Sequence, residues 1–453
     1  MEANRKWHGW SSATYRSWLS LLSVLLVTIG SAGCSDDSTG STGSPDAAVV
    51  DAAADAYVID AAVSDGEISD GDVDGGAEPV GPLLEMPLLD SPYPDRPFNH
   101  TAEVTVAASD GHVALAYINM HFAGADTFDT SGFHKRVGVA VSHDGGETYS
   151  NAIDPGQGAQ TTDPVIRVAA DGTFWLATWD TDSFAGSLAS STDHGDTWQT
   201  VVSDISMGDK EWIAIDDAGQ AVYLGAVSGF WKYAFDGTEL AHDTGGGMML
   251  GAYVDGNGSH FAALGTDHTF VSLLWDGVSA PAQEGEAMIG GVNDQELNHC
   301  ASLGATSDGR QWYVRAVRSA TSGAVMLRVR DLPGDEGADV QVSSPGAVAF
   351  VPAATIDDSG RLHIIWYEID GPMGKLMYTR TLSDDLEGGF EDPIVIDPDA
   401  CPGGDWYPYL VSSEGGRRLR EYIDIAVDGN RAHLAWTHAP GPPSRVYATY
   451  VSF

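Results

Sequence analysis

Glu103, Asp163, Asp209 and Glu211 stand just before or at the start of strand-like segments, and Lys210 separates the last two. Two carboxylates about 5–10 Å apart suit glycoside hydrolysis, one giving a proton while the other attacks or activates water. Other groups able to do chemistry fall at similar points of the pattern: His100, Thr162, Asn298, His299, Arg420, Glu421 and Tyr422 before strands, and His121, Asp180, Asp182, Arg318, Glu368 and His438 after them. The stretch 397–420 carries Cys401, Trp406, Tyr407, Tyr409, Arg417 and Arg418, and its aromatic faces suit stacking on sugar rings. Asp180-Thr181-Asp182 and Asp397-Pro398-Asp399 offer oxygen ligands of the kind a structural calcium takes, and read equally as Asp-rich turns. No zinc spacing, phosphate loop, Ser-His-Asp elbow or nucleotide fingerprint stands out, so no catalytic metal or organic cofactor is expected.

The elements that must position these residues form a repeat. Seven segments share a strand, an Asp/Gly-type turn and a second strand that often ends in Trp or Tyr: 103–117, 164–179, 211–225, 250–264, 299–314, 351–366 and 422–436. Small and β-branched residues fill the strands and Asp-Gly, Ala-Gly, Ser-Gly or Gly-Asn fill the turns, which is a hairpin signature. The fourth copy is the least regular. Turn-to-turn spacing of about 40–70 residues brackets a four-stranded propeller blade. The expected fold is therefore all-β, a β-propeller over 81–453 with seven blades, or six if one repeat is miscounted. The last repeat lacks room for its outer strand, because 444–453 reads as a third strand and nothing follows. The segment 82–89 is expected to supply that outer strand, since an open blade edge would be a sticky template, and its prolines fit an edge.

This order places each first-strand start and second-strand end on one rim, the front, where the residues above gather. Arg310, Arg361 and Arg431 lie in or beside the turns of the opposite rim.

Two copies of one motif follow strands in the first two repeats, Ser142-His143-Asp144-Gly145-Gly146-Glu147-Thr148-Tyr149 and Ser191-Thr192-Asp193-His194-Gly195-Asp196-Thr197-Trp198. Ser and Asp side chains can bond backbone N–H groups inside a tight turn, Gly supplies the backbone angles and the aromatic packs beneath. Residues 383–390 look like a decayed copy. The motif resembles the Asp-box, or BNR repeat, of sialidase-like β-propellers. Asp209-Lys210-Glu211-Trp212-Ile213-Ala214-Ile215-Asp216 and Glu421-Tyr422-Ile423-Asp424-Ile425-Ala426-Val427-Asp428 resemble segments of bacterial BNR-repeat, exo-α-sialidase-like proteins. On that resemblance, Tyr422 would be the nucleophile, Glu103 or Glu211 its polarising partner, and Asp163 or Asp209 the acid/base. Substrate would meet Arg96, Lys210, His299, Arg318, Arg420, Arg445 and Trp406. The Arg-Ile-Pro type motif of sialidases is incomplete here, being Asp95-Arg96-Pro97. A non-catalytic module that binds glycan or a cell-surface protein is the preferred reading, and a sialidase or another glycoside hydrolase is the alternative.

The ends of the chain point to export. Arg5, Lys6 and Arg16 precede an apolar stretch at 19–29, and Ser31-Ala32-Gly33-Cys34 follows. This resembles a bacterial lipoprotein signal over 1–33, with Cys34 lipidated and the protein held to the membrane by that anchor alone. The stretch is shorter than the ~20 residues of a spanning helix. Residues 34–80 are rich in Asp, Ala and Gly and read as a disordered acidic linker to the propeller domain, 81–453. The expected location is the bacterial cell envelope, at the outer membrane if the host is Gram-negative. A formal net charge of −43 excludes nucleic acid as a general partner, and a monomer is expected. Cys300 and Cys401 form one disulfide or remain two buried thiols.

Overall fold

The computed structural model describes residues 80–92, 97–121, 134–255, 257–264, 269–288, 301–319, 322–330, 337–402, 423–441 and 443–453. Among these residues every helix or strand element is a strand. The strands pair into seven antiparallel units, six of four strands and one of three. Their innermost strands are His100–Ser109, Thr161–Val168, Trp212–Asp216, Met248–Asp255, Ala301–Ala305, Val348–Ile356 and Asp424–Asp428. Each packs on the next, and the last packs on the first. The result is a ring of sheets about a central channel, a β-propeller.

The seven repeat cores are the inner hairpins of these units, including the irregular fourth, where Met248–Asp255 pairs with Gly258–Leu264. The near-continuous apolar runs have a simple cause. A blade is covered on both faces by its neighbours, so residues of both pleat faces must be apolar or small. Val113, Ala114, Leu115, Ala116, Tyr117 and Ile118 are all buried. Large aromatics fill the wider space between the sheets, with Trp175, Trp275, Trp366 and Trp436 fully buried.

Closure follows the expected route. Leu84–Glu85 pairs antiparallel with Arg445–Ser452, placing Leu84 opposite Ala448 and Glu85 opposite Tyr447. Flanking bonds extend the contact, from Gly81 N–H to Tyr450 O at 2.8 Å and from Met86 N–H to Val446 O at 2.8 Å. Met86 and Leu89 are buried on the inner side. The first stretch of the propeller thus completes its last blade.

Both boxes form the expected turn. Ser142 Oγ accepts the Gly146 N–H and donates to Asp144, whose carboxylate also takes the Thr148 N–H and hydroxyl. Ser191, Asp193, Gly195 and Thr197 repeat these bonds. The aromatics Tyr149 and Trp198 are partly buried against neighbouring sheets. The copy at 383–390 keeps one element, with Ser383 Oγ accepting the Asp385 N–H. Inner turns pack on the outer turn of the following blade. Arg431 of the seventh reaches Gly145 O and Glu147 of the first box, and Arg310 of the fifth reaches Asp384 O of the sixth. Arg361 pairs locally with Asp357. These three arginines are structural groups of the back face, as their positions in the repeat predict.

Cys401 is a free, buried thiol, against the expectation of a disulfide. It lies opposite Gly374 across the outer strands of the sixth blade, and burial pushes its pKa up to about 12. Cys300 lies outside the described residues, as do the expected signal peptide at 1–33, Cys34 and the expected linker as far as residue 79.

Candidate functional site at the front rim

The inner strands of several blades enter the ring through a bulge, where the chain must turn from the rim into the sheet. Register shifts occur after Ala102, Thr162, Met249 and Phe350. At this entry the backbone of four blades holds a non-glycine residue in the left-handed region: Glu103 at φ 51°, Asp163 at 48°, Lys210 at 59° and Val351 at 49°. Such angles are costly for residues with a Cβ, and strained positions concentrate where a side chain must be aimed. Three of the four are charged and come from three successive blades.

They converge. Asp163 is the centre: Trp179 Nε1 donates to Oδ2 at 2.8 Å and Thr162 Oγ1 to Oδ1 at 3.0 Å. Glu103 and Asp209 each share a hydrogen bond with the same carboxylate, and the ammonium groups of Lys210 and Lys135 lie close enough to act on it. Burial works against ionisation of Asp163, but Lys210, the Glu103 bond, Lys135 and the Asp209 bond outweigh it, so its pKa falls below the usual carboxylate range. Asp209 moves the other way. Burial first, then the charge and hydrogen bond of Asp163, push it up to about 7. Glu211, wholly buried with both carboxyl oxygens lacking a hydrogen-bond partner, is raised well above its ordinary value by burial and by Asp163. At neutral pH the cluster therefore holds an ionised carboxylate beside one near its midpoint, with Glu211 pushed toward its neutral form. It is also well covered, with Glu103 4% and Asp163 8% exposed.

The structure thus brings Glu103, Asp163, Asp209, Lys210 and Glu211 together as the strand order implies. Sequence reasoning missed Lys135 and Trp179 as members. Trp179 could have been found as the aromatic that ends a second strand, whereas Lys135, at the start of a third strand, carries no sequence signal. Arg445 is elsewhere, on the outer half of the seventh blade, where it bonds Glu85 Oε1 at 2.9 Å and the carbonyls of Asn99 and Ser444. There its guanidinium fastens the closing strand. Tyr422, Arg96, His299, Arg420 and Trp406 lie outside the described residues, and so does the side chain of Arg318.

The two Asp-rich turns also separate. Asp180 accepts the N–H groups of Ala159, Gln160, Asp182 and Ser183, the bonding of an Asp-rich turn. Asp397 accepts Trp436 Nε1 at 2.8 Å and lies 2.7 Å from His438 Nδ1, with Asp399 beside them. Its carboxylate is filled by donors, so this group reads as an oriented Asp–His pair more than as a calcium site, which prefers an all-oxygen shell. Within the channel, Arg167 of the second blade crosses to Asp424 of the seventh at 2.9 Å and lies 5.2 Å from the Trp212 ring centroid. A cavity of about 550 Å³ is lined by these three residues and by inner-strand residues such as Tyr253 and Ser302.

No family model and no curated protein sequence matches the chain. Solved structures do match. A fungal alcohol oxidase of the AA5 family, in complex with copper, aligns with a TM-score of 0.52 at 11% identity, over 83% of this chain and 77% of its own. A protein of unknown function from Dyadobacter fermentans aligns at 0.45 and 14% identity, over 83% and 99%. A Hadza microbial sialidase aligns at 0.42 and 14% identity, over 78% and 66%. At these identities the likeness shows the fold alone.

Proposed function

We propose that this chain is an exported, lipid-anchored propeller, its seven sheet units being blades, that binds a glycan at its front mouth without cleaving it. One observation carries the reading. Charged residues held at strained entry positions of three successive blades are focused on one sector of the front mouth, while the back turns are committed to inter-blade bonds. Covered carboxylates locked by Trp179, Thr162 and the two lysines give a rigid, polar floor, which is what orients a ligand on a scaffold. The Asp-box turns agree with a propeller of sialidase-like type. A neutral glycan fits better than an anionic one, because the chain is strongly acidic.

A glycoside hydrolase is the second reading. The opposite protonation of Asp163 and Asp209 favours it, since acid and base must differ in that way. One experiment separates them. The full chain, purified in detergent, is tested on a glycan array and on fluorogenic glycosides, including a sialoside, from about pH 4 to 8. Saturable binding of a glycan with no turnover, weakened at least tenfold in Asp163→Asn, supports the binder. Turnover that disappears in Asp209→Asn replaces it with the hydrolase, and neither binding nor turnover by a folded protein sinks both.

A further inference from the structure

In the second blade, Phe174–Asp180 ends on the front rim and Ala185–Ser191 leaves it. The chain between them, residues 181–184, is a turn tied down at each step. Asp180 O accepts the Phe184 N–H at 2.8 Å. Asp180 Oδ1 accepts the N–H groups of Asp182 and Ser183 at 2.9 and 3.0 Å, and Oδ2 those of Ala159 and Gln160 at 3.0 and 2.9 Å. This rigid turn holds an aromatic ring out to solvent. Phe184 is 49% exposed, the one aromatic among the exposed large apolar side chains of the described residues. Its backbone sits at φ 58°, an outlier for a bulky residue and a conformation glycine takes freely. Neither burial nor turn geometry therefore accounts for a phenylalanine here.

We propose that Phe184 is the platform on which a neutral hexopyranose ring of the bound glycan stacks, an inference that rests on the glycan-binding reading above. The ring is braced from beneath. Its centroid lies 5.8 Å from that of Trp179, with the planes 33° apart, and Trp179 Nε1 donates to Asp163 Oδ2 at 2.8 Å. One indole thus joins the exposed ring to the carboxylate cluster of the rim.

The chemistry of the patch selects its occupant. The face of an aromatic ring carries the negative part of its quadrupole. A hexopyranose offers C–H groups on one face and hydroxyls at its edge. Asp182 and Ser183 stand exposed beside Phe184, so the hydroxyls of a stacked sugar meet polar neighbours. A lone ring flanked by polar groups is too small for a lipid surface or a protein partner, which calls for a contiguous apolar patch of several hundred Å². A uronate or sialic acid would bring its own carboxylate against these acidic groups and is disfavoured. Because the turn is already ordered, little conformational freedom is lost when the sugar stacks.

The test uses the full chain in detergent, with methyl β-galactoside, methyl β-glucoside, methyl α-mannoside and cellohexaose as neutral probes. Sialyllactose and polygalacturonate are the anionic counterparts. Calorimetry measures affinity, and saturation-transfer NMR reads which sugar protons touch the protein. A neutral probe should bind saturably, with the strongest transfer to the C–H protons of one ring face. Phe184→Ala should weaken it about fivefold or more, the order of one aromatic stacking contact, and Phe184→Tyr should restore it. Phe184→Gly relieves the backbone, so it should weaken binding as Ala does without lowering the melting temperature. Neutral-sugar binding that is unchanged in Phe184→Ala overturns this inference and leaves the glycan-binding reading standing. Weakened binding that only follows a fall in melting temperature in Phe184→Gly overturns it too, since the ring is then a structural prop. Binding of the anionic probes alone overturns the neutral class, and no binding of any probe by the folded protein overturns both the platform and the reading beneath it.

Discussion

Asp163 and Asp209 illustrate how neighbours divide one charge. Asp209 keeps its proton up to about pH 7 in the folded chain, against an ordinary value of 3.8. The folded state therefore binds more protons than the unfolded state between those values. Through this group stability is full below about pH 4 and falls as pH rises toward 7, by at most about 1.4 kcal/mol per pH unit. Asp163 has the opposite sign. Its pKa is depressed, so its contribution is present above 3.8 and lost as pH falls below it. Urea unfolding from pH 4 to 7 should show Asp209→Asn removing part of the wild-type decline, and an unchanged slope would count against the assignment. Asp163→Asn leaves the buried Lys210 without its central counter-charge. A loss of about 3 kcal/mol at pH 7 is expected, as when one partner of a buried pair is removed.

At the scale of the element, the box turn depends on one glycine and one aspartate. Gly195 has φ 95°, and a Cβ there would collide with Val141 of the preceding blade. Gly195→Ala therefore combines backbone strain with an inter-blade clash, and a loss of about 2 kcal/mol in thermal or urea unfolding is expected. Gly172 has nothing near its would-be Cβ, so Gly172→Ala is strained at φ 84° alone and should cost less. Asp144 tests the same turn from its polar side. Its hydrogen bonds to Thr148 lower its pKa to about 2 despite a small burial penalty. Their contribution is present above the ordinary 3.8 and lost as pH falls toward 2. Asp144→Ala should cost only about 1 kcal/mol at pH 7, because the carboxylate faces water and is screened.

At the scale of the whole molecule, the ring is joined by a contact between residues far apart in sequence, Leu84–Glu85 on Arg445–Ser452. Non-local pairing of this kind closes late, since chain entropy is lost before the contact forms. Met86 is buried in the joint, and Met86→Ala should cost ~2–5 kcal/mol. Deleting residues 80–89 should do more than destabilise. The exposed edge of the last blade would be free to pair with another chain, so light scattering should detect larger species than the intact protein gives. A monodisperse deletion variant would show that the joint is dispensable.

By itself the sequence determined the hairpin repeats, the box turns, the missing outer strand and the segment that replaces it. All are local in origin, because alternation, turn residues and glycine positions act over a few neighbours along the chain, and strand order then assigns each residue to a rim. That is why Glu103, Asp163, Asp209, Lys210 and Glu211 were legible as one rim set. Only the tertiary structure decided which rim residues meet. Lys135 and Trp179 join Asp163 through side chains crossing between strands, and Arg445 is drawn off to Glu85. Contacts of this kind depend on how sheets stack and where bulges turn the backbone, and no spacing along the chain encodes that. The same holds for protonation, since Asp163 and Asp209 are one residue type and only burial and shared neighbours set them apart.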